Sequence, residues 1–119
     1  MLSMKYNYDI KIIERNGNSH FAFCLPEGFE PITRLINTDV GDEYIARIYI
    51  DACEKVLNGE TVTKTISGNT CIATFNQDFT YVEDLFIDKK TICIETSELL
   101  LLIEAFLKEK KQYLNSKKY

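Results

Sequence analysis

Residue types able to carry acid–base or metal chemistry are few and widely spaced in this sequence. His20 is the only histidine. It follows Asn16-Gly17 and alternates outward from Phe21 and Phe23, and no neighbouring residue forms a known nucleophile arrangement with it. Cys24, Cys53, Cys71 and Cys93 are 29, 18 and 22 positions apart, and none forms a CxxC pair. Each lies in an apolar or alternating segment, which predicts reduced core thiols. Asp39-Val40-Gly41-Asp42-Glu43 places acids around a glycine, but without the alternating oxygen ligands of a calcium loop. It reads instead as the start of a helix. Gly17, Gly28, Gly41, Gly59 and Gly68 stand in separate turns, forming neither a dinucleotide fingerprint nor a phosphate loop. The expectation is a chain without catalytic residues, metal or cofactor.

Carboxylates make the one notable grouping. Glu83, Asp84 and Asp88 fall in a strand and the turn after it, with Asp78 nearby. Such a group can run acid–base chemistry or hold a hard cation. It can equally be a solvated strand edge or the rim of a protein-binding patch. A second acidic pair, Asp51 and Glu54, belongs to the outer side of a helix.

These side chains depend on elements that the hydrophobic pattern marks. In 91–114, TICIETSELLLLIEAFLKEKKQYL, a short strand runs into a helix, with Thr96 as the expected cap and Glu98 in its first turn. Leu99, Leu102, Ile103, Phe106, Leu107, Tyr113 and Leu114 share one stripe, and Leu101 projects near the polar side. Upstream, Tyr6, Tyr8, Ile10 and Ile12 alternate as a strand, Asn16-Gly17 turns the chain, and Phe21, Phe23 and Leu25 return. Residues 32–38 give no clear pattern. Asp39 is then a plausible N-cap, with Asp42 at the third helical position. Ile45, Ile48, Tyr49, Ala52, Cys53 and Val56 form the buried stripe, Ile50 lies at its flank, and Asn58-Gly59 ends the helix. Four short strands follow: Val62–Ile66, Cys71–Phe75, Phe79–Ile87 and Thr91–Glu95. The pattern ββ-α-ββββ-α predicts a single α+β domain over 1–119, with an antiparallel or mixed sheet of about six strands packed with two main helices.

A 119-residue chain with 45% apolar residues can bury a real core. No apolar run approaches 18 residues, and MLSMKYNYDI lacks the basic and apolar regions of a secretory signal. The expected setting is a soluble protein of the cytoplasm. Charge divides the chain. Met1 to Leu107 carries 17 acids and 9 bases, a net of -8, whereas Lys108 to Tyr119 carries 5 bases and 1 acid, a net of +4. The acidic body disfavours direct nucleic-acid binding and suits a basic protein partner. The short basic C-terminal tail complements a helix C-terminus.

The early SHFAFC strand, the helix ending ACEKVLNG, the following meander and the terminal IETSELLLLIEAFLKEKKQYL together resemble the small immunity proteins of contact-dependent growth-inhibition (CDI) systems. That resemblance, over residues 19–114, implies a cytoplasmic, non-enzymatic, acidic protein. Its partner would be one cognate toxin domain, often a nuclease, and its function toxin neutralisation. No binding residue transfers by motif. The toxin-binding candidates from this sequence are Glu83, Asp84 and Asp88, then Asp51 and Glu54, with Asp78 beside the first group. A homo-oligomer is possible; a membrane partner is not expected. The alternative reading is a small enzyme or ligand-binding domain with a pocket between sheet and helices.

Overall fold

Asn16 and Gly17 both adopt positive φ, 54° and 80°. That backbone twist suits a two-residue hairpin, and few residue pairs reach it without strain. It joins β1 (Asp9–Arg15) to β2 (Asn18–Cys24) in an antiparallel register running from Asp9↔Cys24 to Arg15↔Asn18. The computed structural model describes residues 4–86 and 90–116. The first strand starts later than its alternation predicts, because Tyr6 and Tyr8 are used elsewhere. Their hydroxyls donate to Glu95 Oε1 at 2.6 Å and Glu109 Oε2 at 2.8 Å.

The unpatterned stretch is helical. Pro31 stands in the first turn of α1 (Glu30–Arg34), where its missing N–H costs nothing. The chain continues directly into a π-helix, Leu35–Val40. Leu35, Ile36, Asp39 and Val40 are all buried there. Asn37 points back at the hairpin: its Oδ1 accepts from Phe23 N at 2.9 Å, and its Nδ2 donates to Phe23 O at 2.7 Å. Thr33 Oγ1 accepts from Leu25 N at 3.1 Å. The C-terminal end of the outer edge of β2 is thus occupied by side chains.

Helix α2 (Glu43–Leu57) is capped by Asp42, whose carboxylate accepts from Ile45 N at 2.9 Å. Asp39, the cap expected from sequence, is buried instead. It accepts from Thr70 N (2.9 Å), Thr70 Oγ1 (3.0 Å) and Cys71 N (2.8 Å), tying the π-helix to the start of a strand. The buried stripe of α2 is rotated from its predicted position. Ile50 is buried and Ile48 is 45% exposed, because the helix packs against both a sheet and a second helix. Gly59, at φ 77°, closes it as expected.

Four strands follow in order: β3 (Thr63–Ser67), β4 (Cys71–Asn76), β5 (Phe79–Asp84) and β6 (Thr91–Glu95). They form one antiparallel sheet separate from the hairpin, so the six strands divide into two sheets rather than one. Helix α3 (Thr96–Ser116) starts where β6 ends. Thr96 does not act through a cap hydroxyl. It donates to Asn76 O at 2.5 Å and pairs with Thr80 Oγ1 at 2.8 Å, fixing the helix start to the sheet. The basic residues Lys108, Lys110 and Lys111 lie within α3.

The architecture is α+β, with three α-helices and two antiparallel sheets among the described residues. Phe75 meets Tyr49 of α2 edge-on, and Phe23 meets Phe106 of α3 the same way. Leu99, Leu102, Ile103 and Phe106 are buried, each contributing roughly 1.5–3 kcal/mol by leaving water. The stripe fades toward the C-terminus, where Leu114 is half-exposed. Among the described residues, no helix is long and apolar enough to cross a membrane.

Candidate functional site

Alternation along β5 divides its residues between two environments. Thr80, Val82 and Asp84 are buried on the helix side, while Phe79 and Tyr81 are 44% and 46% exposed on the other. Buried polar groups need partners, and these have them. Thr80 bonds Thr96, and Asp84 Oδ2 accepts from Arg34 Nε at 3.0 Å. Asp84 Oδ1 also accepts from Phe86 N at 2.8 Å. Asp84 is therefore a structural anion under the sheet and not the rim residue its neighbourhood suggested.

The opposite face of the four-stranded sheet is open. One cross-strand row is Ser67, Ile72, Glu83 and Thr91; the next is Thr65, Thr74, Tyr81 and Cys93. Thr63 pairs with Asn76 and Phe79 with Glu95 at the far end. Hydroxyls surround the aromatic centre, and no strand residue projecting from this face is basic. Val62, Asn76, Gln77, Asp78, Phe79 and Tyr81 line a shallow depression of about 370 Å³ at this end. Asp78 and Glu83 thus lie toward opposite ends of β5, with Phe79 and Tyr81 between them.

Among the described residues, Glu95 is the one acid of the face with a close cation. Lys5 Nζ lies 2.6 Å from it, and Tyr6 donates to its other oxygen. Hydrogen bonding to Lys5, then to Tyr6, holds the Glu95 carboxyl down at about 2.

The second acidic pair lies elsewhere. Asp51 and Glu54 are exposed on α2, whose buried side covers the inner face of the same sheet. Asp51 also pairs with Lys55 at 3.2 Å. The two groups point to opposite sides of the protein and cannot share one flat contact. Asp88 lies outside the described residues.

Among the described residues, no three His, Cys, Asp or Glu side chains cluster as a metal site. His20 is exposed on the hairpin, opposite Ile13. Cys53 and Cys71 are buried, Cys24 is half-buried, and all four cysteines are free. Burial pushes the Cys53 thiol up to about 12. Cys93 departs from the core-thiol expectation, standing exposed on the open face opposite Tyr81. A separate cleft of about 450 Å³ lies between the start of α2 and the end of α3. Leu107 and Leu114 supply its apolar wall, and Asp42, Glu43, Lys110 and Lys111 its charges. Lys110 is already engaged with the carbonyl of Gly41.

Sequence reasoning missed Phe79, Tyr81 and Ile72 as surface residues. The alternation of FTYVED places Phe79 and Tyr81 together, yet nothing local says which side meets the helices. No protein-family model, curated protein or solved structure matches the chain.

Proposed function

We propose that this chain is an immunity protein that neutralises a basic toxin domain, a nuclease, by binding it through the open face of the four-stranded sheet. The observation that carries the reading is the composition of that face: two half-exposed aromatics between Asp78 and Glu83, with no base on its strands. Large apolar side chains on an uncovered sheet favour burial against another protein. Carboxylates around them favour a positive partner, and nuclease surfaces are positive because they hold phosphates. The net -8 of residues 1–107 adds long-range attraction of the same sign.

The roles divide accordingly. Phe79 and Tyr81 supply the desolvated centre, which governs how long the complex lasts. Asp78 and Glu83 steer the encounter. The test is co-purification with the toxin domain encoded beside this chain, followed by binding kinetics at low and high salt. Tyr81→Ala should speed dissociation at least tenfold, and Asp78→Lys with Glu83→Lys should slow association and flatten its salt dependence. Absence of binding at micromolar concentration would refute the immunity function. Tight binding with unchanged kinetics in both variants would move the contact off this face.

The second reading, a ligand-binding domain, draws on the cleft between α2 and α3. A small molecule there would need to satisfy both acids and lysines. Calorimetric screening against zwitterionic metabolites tests it directly.

A further inference from the structure

The hairpin has one edge occupied at its C-terminal end and one edge open along its whole length. Asn37 and Thr33 take the outward backbone groups of β2 at Phe23 and Leu25. Along β1, no hydrogen bond from another element of the described residues reaches Asp9–Arg15 apart from its ladder with β2. β1 is seven residues long, contains no proline, and leaves Ile12 and Ile13 48% and 44% exposed. A long open edge of this kind is a template for another strand.

We propose that a second copy of this chain occupies it, β1 pairing antiparallel with β1 about a two-fold axis at Ile12. The two hairpins then form one continuous four-stranded sheet. This inference is independent of the immunity reading, since it uses neither the open face nor a toxin.

The register follows from the backbone. Arg15 and Asn18 flank a two-residue turn, so they exchange both ladder bonds, and alternate pairs along the strand do the same. Arg15, Ile13, Lys11 and Asp9 therefore point their amides inward, and Ile10, Ile12 and Glu14 point theirs to the open edge. A two-fold axis perpendicular to the sheet keeps like faces together, so outward residues must pair with outward residues. Centring on Ile12 satisfies this. Ile12 opposes Ile12 of the second copy, and Ile10 opposes Glu14, giving about six new backbone hydrogen bonds.

Charge selects this register over its neighbours. It sets Asp9 opposite Arg15 on both sides of the axis, and no other described residue forms an ion pair with either of them. Moving the axis one way places Lys11 opposite Lys11; moving it the other way places Lys11 opposite Arg15. Like charges directly opposite on a sheet repel. The charged residues of β1 are Asp9, Lys11, Glu14 and Arg15, which balance. The acidity of the chain is thus absent where the copies meet. Both exposed isoleucines gain apolar cover, Ile12 from its counterpart and Ile13 from the stem of Lys11.

So narrow a contact predicts a reversible dimer, with Kd on the order of 100 µM. Sedimentation over a concentration series tests it, together with residue-resolved amide exchange. In dilute solution the amides of Ile10, Ile12 and Glu14 should exchange freely while those of Lys11 and Ile13 are protected. At millimolar protein the first three should become protected as well. Asp9→Arg and Arg15→Asp should each weaken self-association roughly tenfold. An equimolar mixture of the two variants should restore it, since every facing pair is again opposite in charge. A monomer at millimolar concentration overturns the proposal. So does a dimer whose β1 amides stay unprotected, or one that ignores both charge variants. Protection of these amides only after a partner protein is added would give the edge to that partner and likewise overturn it.

Discussion

Gly68 stands beside the buried carboxylate of Asp39, too close to it to leave room for a side chain. A Cβ at Gly68 would lie 2.4 Å from Asp39 Oδ2, 2.6 Å from Cγ and 2.9 Å from Cβ. Its φ is not in the left-handed region, so the penalty of Gly68→Ala is steric rather than conformational. Ordinary contact requires the carboxylate to retreat by about 1 Å, which takes Oδ2 out of hydrogen-bond range of Cys71 N. A bond to a charged acceptor contributes about 1.5–3 kcal/mol, and overpacking adds strain. Gly68→Ala should therefore cost about 2–4 kcal/mol. Asp39→Ala removes all three bonds and leaves the Thr70 and Cys71 amides buried, costing about 3–5 kcal/mol. The decisive quantity is their coupling. With Asp39→Ala the two nearest atoms are gone, so adding Gly68→Ala should cost only about 1 kcal/mol more. Urea unfolding of the four members of this cycle measures it. Equal costs for Gly68→Ala in both backgrounds would refute the reasoning, because the damage would then not pass through the carboxylate.

Other outcomes separate structural acids from surface acids and core thiols from exposed ones. Asp84→Ala leaves the Arg34 guanidinium without its buried partner and should cost about 3–5 kcal/mol, whereas Glu83→Ala should stay within about 0.5 kcal/mol; equal midpoints in urea would contradict the placement of β5. Glu95 titrates at about 2 in the folded chain, below its ordinary value of 4.5, so its contribution is full above that value and lost as pH falls from about 5 to about 2. Glu95→Gln should flatten acid unfolding in that window, and an unchanged profile would show that Lys5 and Tyr6 do not hold the carboxylate. A thiol reagent should modify Cys93 quickly and Cys53 slowly in the native protein, with four thiols titrating after denaturation.

The elements legible in the sequence were those whose signal is local. Asn16-Gly17, the stripe of the last helix and the stop at Asn58-Gly59 each follow from backbone sterics or a 3.6-residue period. Residues 32–38 were not legible, because a π-helix following a short proline-started helix leaves no clean period. Asp39 looked like a cap because caps and buried anions use the same residue type. Its partners lie 31 and 32 positions away, where no window reaches. The candidate face failed for a related reason. Glu83 and Asp84 are neighbours in sequence, but a strand sends neighbours to opposite faces, and the burial of Asp84 depends on Arg34, 50 residues earlier. Acid density along the chain thus drew attention to one strand and mixed its two sides.

Asn37 has a consequence for how far this protein can assemble. Its amide is a peptide group carried on a side chain, and it bonds both the N–H and the C=O of Phe23 as a neighbouring strand would. A sheet with two receptive borders can add subunits without limit, each arrival exposing a fresh border for the next. With Phe23 and Leu25 already bonded from within the chain, a strand approaching the outer border of β2 must first displace Asn37 and Thr33 at that end. Asn37→Ala would do more than loosen a turn: it would free the N–H and C=O of Phe23 for a further strand. The same residue that seats the hairpin on the π-helix therefore also guards the Phe23 end of that border against a second pairing.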